Sequence, residues 1–165
     1  MAVNMYLRFE SPAILGSSTA PDHAGEIDVL SWSHGFAQPT SPTRGGGTVE
    51  QATHQNFTFT KYLDTATNEL LKYCWSGKQF GKVTLTCYRS DGQPDNKPVV
   101  YLTVIMEHVI ISNYSVSGGP GDIPVENVAL DYGIVQYNYK EQKHANSPAD
   151  ASKPAVHNLE THTVE

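Results

Sequence analysis

Hydrophobic and polar residues alternate along most of the chain, and this alternation predicts a mainly β protein. Neighbouring side chains in a strand point to opposite faces, so an apolar residue at every second position indicates a strand with one buried face. The pattern occurs in Val3–Glu10, Thr53–Tyr62 and Lys82–Arg89, and it is longest in Lys97–Lys140. That last region contains two β-patterned runs on either side of a Gly- and Pro-rich turn, which predicts a long hairpin at the centre of the fold.

This central hairpin carries more apolar surface than a single domain needs. Its first run, Val99–Ile111, is apolar on both faces, and a strand of this kind requires cover on both sides. The interior of one small barrel buries only one face of this strand, so the other face must be buried against something outside that interior. The second run, Val125–Tyr139, changes phase at Gly133, which predicts a bulge or a bend at that glycine.

One segment, Asp64–Lys78, has a helical pattern instead. Leu70 and Leu71 belong to its apolar stripe and are predicted core anchors. Thr67 is the predicted N-cap, and Gly77 is a natural left-handed stop. A single helix of about ten residues among six or seven strands does not build a layered α/β fold. We therefore predict a small antiparallel β-barrel with one flanking α-helix.

The segment Gly25–Phe36 places large and small residues on opposite faces of a predicted strand. Leu30 and Trp32 share one phase, and we expect both to be core anchors. Ser31 and Ser33 share the other phase, where we expect an exposed face of small residues.

Two segments lack any strand pattern. Gln38–Glu50 consists of turn-forming residues and is too long for a tight hairpin turn, so it predicts a long extended loop that is functional or disordered. After Lys140 the chain is polar and contains proline, and we expect this tail to be mobile unless it docks. The sequence thus divides into a barrel domain, residues 1–140, and a polar C-terminal tail, residues 141–165.

Charge and composition argue against several classes of function. The chain has 11 basic and 17 acidic residues, a net charge of -6, whereas a nucleic-acid groove requires clustered Lys and Arg. It has no run of about 18 apolar residues, which argues against membrane insertion. Its first residues lack the features of a secretory signal. We therefore expect the protein to be made and folded in the cytoplasm.

Catalytic and metal-binding motifs are lacking. The seven histidines do not fall at metal-ligand spacings, and no CxxC or HExxH motif occurs. The sequence SWSHG, Ser31–Gly35, is a near miss to a nucleophile elbow but lies inside a strand pattern. Cys74 and Cys87 are expected to be reduced, buried thiols; the alternative, a disulfide between them, requires the helix to pack over the strand that carries Cys87. The sequence predicts no enzyme activity, no cofactor and no metal.

Four segments, in the same order and at the same spacing, resemble the Hcp (haemolysin-coregulated protein) family of the bacterial type VI secretion system. They are Glu26–Gly35, Phe57–Lys78, Tyr101–Gly119 and Pro124–Gly133. With the N-terminal strand they cover Met1 to about Tyr139. The resemblance implies small β-barrels that assemble into homohexameric rings, stack head to tail into a tube and are exported as folded protein to the medium or a target cell. It also implies a surrounding sheath, a spike protein at the tip and small secreted effectors held in the lumen as partners.

The resemblance also assigns roles to particular residues. Ser31 and Ser33 become candidates for the lumen surface that contacts effectors. The extended loop becomes a contact to a neighbouring copy or ring. Its predicted contact residues are Gln38, Thr40, Ser41, Thr43, Arg44, Gly45, Gly46 and Gly47.

Two alternatives to a tube subunit remain open. The first is a stand-alone β-barrel module that binds a sugar or a peptide, which would be a monomer with a concave site. The second is an enzyme, either a hydrolase that uses SWSHG or an effector domain fused to a tube subunit. About 25 residues remain outside the barrel, fewer than the ~50 of a small independent domain, which argues against a fused effector.

Overall fold

The computed structural model describes residues 4–20, 23–43, 46–49, 51–90, 98–141 and 154–165. These residues confirm the predicted class, because they form a mainly antiparallel β fold with one α-helix. The strands are β1 (Asn4–Glu10), β2 (Ile27–Asp28), β3 (Ser31–Ser33), β4 (Phe36–Ala37), β5 (Thr40–Thr43), β6 (Gly46–Val49), β7 (Thr53–His54), β8 (Phe57–Tyr62), β9 (Phe80–Ser90), β10 (Pro98–Ser117), β11 (Val125–Asp131), β12 (Ile134–Tyr139), β13 (Ala155–Asn158) and β14 (Thr163–Val164); the helix α1 is Thr67–Ser76.

Two sheets enclose one apolar core. The first sheet has the strand order β2–β1–β9–β10–β12–β13–β14, and the second has the order β3–β8–β11–β10. Strand β10 belongs to both sheets. The core between them is dominated by fully buried Phe57, Phe80, Leu7, Leu85 and Met106.

Strand β10 bends at His108, which is how one strand serves both sheets. Its first half pairs with β12 and its second half with β11. His108 has a φ of 54°, and on the facing strand the Gly133 amide donates to the Glu107 carbonyl at 3.1 Å. The predicted bend at Gly133 is confirmed, since β11 ends before this glycine and β12 begins after it.

The prediction that Val99–Ile111 is apolar on two constant faces was wrong. The buried residues before the bend are Val104 and Met106, whereas after it they are Val109 and Ile111. The left-handed residue at 108 marks the change, after which the core-facing side chains have odd instead of even numbers. The pairing register with β9 is unbroken there, from Glu107↔Lys82 to Val109↔Phe80. Both strands therefore change phase together and keep one buried face, where unbroken alternation suggests two.

The segment from β2 to β3 crosses between the two sheets. The Val29 amide donates to Met5 of the first sheet at 3.0 Å, and the Leu30 amide donates to Thr60 of the second sheet at 2.8 Å. No ladder pairing joins β2 to β3 across this crossing, so the described strands form a barrel-like shell whose sheet is not closed.

This crossing corrects one predicted core anchor. Leu30 is 42% exposed, while Val29 is buried in its place. The reason is that the chain changes sheets between the two residues, which breaks the alternation used for the prediction. Trp32 points inward and is partly buried, and its indole stacks on Phe57 with ring centroids 5.7 Å apart.

Helix α1 is shorter than its predicted span of Asp64–Lys78. Leu70 is fully buried and Leu71 is half-buried. Thr67 is not the N-cap, because that position is Ala66, and the Asp64 carboxylate accepts the Ala66 amide at 2.9 Å instead. The side chain of Asp64, two residues before Ala66, thus provides a hydrogen-bond acceptor for a backbone amide that has no partner within the helix. The stop at Gly77 is confirmed by its φ of 66°.

A buried ion pair anchors the start of the helix to the second sheet. Lys61 on β8 and Glu126 on β11 are both fully buried, and their charged atoms lie 2.5 Å apart. The Lys61 ammonium also contacts Asp64 at 2.8 Å, and the Tyr114 hydroxyl donates to Glu126. These partners satisfy two charges that would be costly to bury alone.

The predicted extended loop is a β-hairpin in the described part. Strand β4 pairs with β7 and strand β5 pairs with β6, and neither pair joins the two large sheets. The sequence prediction missed this because a backbone ladder does not require apolar side chains. Arg44 and Gly45, two predicted contact residues, lie outside the described residues.

The C-terminal residues also form sheet structure. Strand β13 pairs with β12, and β14 pairs with β13, so residues 154–165 dock on the barrel, which is the case in which the tail was not expected to be mobile. Residues 142–153 lie outside the described part of the chain. Cys87 is a buried free thiol and Cys74 is a half-buried one. Within the described ranges, the helix is too short and too polar to cross a bilayer.

Candidate functional site: a polar sheet face and a projecting hairpin

The outer face of the second sheet includes two adjacent rows of small, uncharged side chains. The strand register aligns Ser33, Thr58, Ala129 and Asn113 in one cross-strand row, and Ser31, Thr60, Asn127 and Ser115 in the next. We call these eight residues the polar face. It covers four strands, and the two predicted serines lie at one edge of it.

Hydroxyl pairs across strands β3 and β8 order the polar face. The Ser31 and Thr60 hydroxyl oxygens are 2.5 Å apart, and the Ser33 and Thr58 hydroxyl oxygens are also 2.5 Å apart. The Thr58 hydroxyl donates to the Ser33 carbonyl at 3.3 Å, which leaves the serine hydroxyl to donate to the threonine. These groups satisfy one another, so the face presents no charge and no preorganised ligand site.

Within the described part of the chain, no general base contacts the Ser33 hydroxyl. This hydroxyl faces outward and contacts Thr58, while the next residue, His34, hydrogen-bonds to two tyrosines. The structure therefore gives SWSHG no nucleophile–base pair. No cluster of three or more metal-ligating side chains occurs among the described residues.

The hairpin projects from the barrel next to this sheet. Gln38 and Thr40 are exposed near its base. Four further predicted contact residues follow in its outer ladder: Ser41 and Thr43 on β5, and Gly46 and Gly47 on β6. The structure thus places the described contact residues on one projecting element.

Five half-buried or buried side chains join the hairpin base to the barrel. They are His34, His54, Tyr132, Tyr137 and His157, and we call them the imidazole cluster. Two come from the hairpin base, two from the region of the β11–β12 bend and one from β13. The sequence analysis discounted all three histidines, because they are separated by long stretches of chain and show no motif.

The imidazole cluster is one continuous chain of hydrogen bonds. The Tyr132 hydroxyl lies 2.5 Å from His34 Nε2 and 2.6 Å from His54 Nδ1. His54 Nε2 lies 2.6 Å from His157 Nδ1, and His34 Nδ1 contacts the Tyr137 hydroxyl. Four hydrogen bonds require four hydrogens, and five neutral side chains supply them with one to spare.

Burial keeps His34 and His54 uncharged near neutral pH. It lowers the pKa of His34 to about 4, with a further contribution from the neighbouring His54. Burial also lowers the pKa of His54, assisted by the proximity of His157. It raises the pKa of Tyr137 to about 12 and raises that of Tyr132.

A cavity of about 480 Å³ opens beside the cluster, between the hairpin base and the C-terminal strands. Its walls are mostly apolar and include Phe36, Val156 and Val164, while His54 and His157 form part of one side. Phe36 is 51% exposed there, so this junction has solvent-accessible apolar surface.

Comparison with known proteins identifies the family. A family model described as "Type VI secretion system effector, Hcp" matches residues 6–139. The protein hcp1 of Pseudomonas aeruginosa is 37% identical over 145 residues, which cover 87% of this chain and 86% of that protein.

Solved structures agree with this match. The crystal structure of Hcp1 from Salmonella typhimurium has a TM-score of 0.80 and 26% identity, over 100% of both chains. A type VI secretion system effector from Yersinia pestis has a TM-score of 0.71 and 25% identity, over 93% of this chain and 98% of that one. The chain therefore belongs to the Hcp family of type VI secretion system proteins, which are structural, secreted tube proteins rather than enzymes.

Proposed function

We propose that six copies of this chain form a ring, that rings stack head to tail into the inner tube, and that the polar face lines the lumen. The observation that carries the lumen assignment is the composition of this face. Eight small, uncharged residues occupy the outer side of a four-stranded sheet whose other side is core. A wall of this kind attracts neither acidic nor basic cargo strongly, which suits passage of varied small effectors.

The projecting hairpin is proposed to contact the neighbouring copy or the next ring. It is an extended element with exposed base residues, Gln38 and Thr40, and it shares no ladder with the barrel. A contact between two different surfaces of identical copies is heterologous, and such contacts close into rings or continue into filaments. Sheath, spike and small secreted effectors are the further proposed partners, and export of the folded protein is the proposed route.

Native mass spectrometry with negative-stain imaging tests the assembly. We expect a mass of six copies and annular particles. A monomer at micromolar concentration would instead favour the second candidate, a stand-alone barrel that binds a sugar or peptide. The cavity beside the hairpin base is the observation that favours this second candidate.

Spin labels test the lumen assignment separately from ring formation. Ser33→Cys and, as the matched control, Asn68→Cys on the exposed side of α1 are each labelled in a Cys74→Ser background. A lumen position lies nearer the ring axis, so we expect shorter distances between labels at position 33 than at position 68. Intact rings with the reverse order of distances would contradict the lumen assignment alone.

A further inference from the structure

We propose that the imidazole cluster is an acid-sensitive clamp, which fixes the direction of the projecting hairpin near neutral pH and releases it when the imidazoles take up protons. The effect on contacts between copies rests on the proposed function of the hairpin. The clamp itself is a property of one chain.

Side chains join the hairpin to the strands across the gap. The hairpin strands themselves continue β3 and β8, and the Gln55 amide donates to the Gly35 carbonyl at 2.9 Å between the two ladders. Among the described residues, the ladders β4–β7 and β5–β6 share no pairing with β11, β12 or β13, so side chains set the angle of the hairpin toward those strands. Across the gap, His34 reaches Tyr132 and Tyr137, while His54 reaches Tyr132 and His157. Both strands of the hairpin base are thus attached to the β11–β12 region, and β7 is also attached to the C-terminal strand.

Ring packing reinforces these hydrogen bonds. The Phe36 ring on β4 lies 4.9 Å from the His54 ring and 5.7 Å from the Tyr137 ring, centroid to centroid. The Phe36 and His54 rings belong to the hairpin itself, whereas Tyr137 lies on β12. A rotation of the hairpin would therefore separate the Phe36 and Tyr137 rings and open the adjacent cavity. Its direction therefore depends on the same contacts that the imidazoles make.

The hydrogen-bond chain accepts one extra proton but not several. Between His54 Nε2 and His157 Nδ1, 2.6 Å apart, there is room for one hydrogen, so one nitrogen must be bare. When both rings are protonated, two N–H groups and two positive charges face each other. If His34 and His54 are both protonated, the Tyr132 hydroxyl accepts from both, and its own hydrogen loses its partner.

The surrounding charges do not compensate for these added protons. The groups that face the imidazoles are Tyr132 from the β11–β12 bend and Tyr137 from β12, both neutral. The carboxylate of the preceding residue, Asp131, accepts a hydrogen bond of 3.0 Å from the backbone amide of Tyr132. Among the described residues, no carboxylate hydrogen-bonds to the three clustered imidazoles.

One exposed pair ties the C-terminal segment to β10 outside the cluster. His108 lies 2.6 Å from Glu160. Both side chains are about half exposed, so the contribution is small.

The direction of the pH effect follows from proton uptake. Burial lowers the pKa of His34 to about 4 and also lowers that of His54, whereas released imidazoles titrate near the ordinary value of about 6.5. The released state therefore binds more protons between these values. The clamp is complete above about pH 6.5 and weakens as the pH falls toward 4.

Hydrogen exchange of the full chain, corrected for the intrinsic pH dependence of exchange, tests the clamp. We compare residues 36–54 with the core strands β9 and β10 at pH 7.5 and pH 5. The opening equilibrium should grow by about tenfold per pH unit for each proton taken up. We expect faster opening of the hairpin with unchanged protection of the core strands. Equal protection of the hairpin at both pH values, or a simultaneous loss in hairpin and core, would overturn the proposal.

Two histidine variants make the test specific. His157→Asn keeps a polar atom near Nδ1 but removes the imidazole whose proximity helps to lower the pKa of His54, so we expect the pH response of the hairpin to shrink. His162→Asn is the matched control, since His162 is exposed and has a φ of 59°, a conformation that Asn tolerates. An undiminished response in His157→Asn would count against the clamp.

Mass measurements of the same samples separate the two proposals. A ring at pH 7.5 that dissociates or unstacks at pH 5, less so in His157→Asn, supports both. If no ring forms at pH 7.5, the proposed function fails, and the exchange data still decide on the clamp.

Discussion

The polar face and the imidazole cluster are both built from short hydrogen bonds between side chains, but they respond to their surroundings differently. The hydroxyl pairs of the polar face lie between adjacent strands, are exposed and do not titrate near neutral pH. The cluster joins residues 78 to 103 positions apart, is partly buried and contains three histidines. Hydrogen bonds between neutral groups on adjacent strands give a surface whose charge changes little with pH. A hydrogen-bonded network of histidines from distant parts of the chain gives a junction whose charge changes with pH.

Breaking the buried ion pair beneath the polar face is expected to have the largest effect on stability. Lys61 and Glu126 lie on the core side of the strands that carry Thr60 and Asn127. In Lys61→Met the Glu126 carboxylate loses its buried counter-charge, so we expect the free energy of unfolding to fall by about 3–5 kcal/mol in urea denaturation. The double variant Lys61→Met/Glu126→Leu should recover much of this loss. A loss below about 1 kcal/mol in the single variant would show that the pair is not sealed from water.

Removing the central hydroxyl of the imidazole cluster should cost less. Tyr132→Phe leaves one nitrogen of His34 and one of His54 without a partner. We expect a loss of about 1–3 kcal/mol in the free energy of unfolding, because unsatisfied buried polar groups are costly. Tyr62→Phe, at an exposed tyrosine, is the control and should be close to neutral. Equal effects of both variants would argue against the hydrogen-bond chain.

The pH dependence of stability distinguishes the two regions. Because burial lowers the pKa of His34 and His54, the unfolded chain binds more protons between about pH 6.5 and pH 4, and stability declines as the pH falls through this range. Urea midpoints from pH 7.5 to pH 4.5 should decline less in His157→Asn than in the wild type. Ser33→Ala, which changes the polar face, should leave the shape of the profile unaltered.

Changes within the polar face itself should have the smallest effect on stability. Ser33→Ala/Thr58→Ala removes both members of an exposed pair and leaves no buried group unsatisfied. We expect a change within about 0.5 kcal/mol in urea denaturation. A larger decrease in the free energy of unfolding would mean that the hydroxyl pairs stabilise the pairing of β3 with β8.

Much of the fold follows from local patterns in the sequence. Alternation located the main strands, and the stop at Gly77 and the bend at Gly133 were predicted because each depends on a few adjacent residues. The same reasoning failed at Leu30, where the chain changes sheets, and in Val99–Ile111, where the strand bends at His108. A single left-handed residue marks the change of phase, and a histidine at that position gives no signal in the sequence.

The candidate site was less predictable than the fold. Ser31 and Ser33 indicated a small-residue face, but its full extent depends on the register of four strands. The hairpin of β4 to β7 is held by backbone pairing, which leaves no apolar pattern. His34, His54 and His157 come together through the fold alone, so their spacing in the sequence carries no information about their contacts.

The passage of β10 through both sheets has a mechanical consequence. A load applied along β10 would enter one covalent backbone that is laterally bonded to β9, β11 and β12. Those hydrogen bonds would be loaded in shear, so many would have to rupture together instead of one after another. The two halves of the shell therefore share the load as one body.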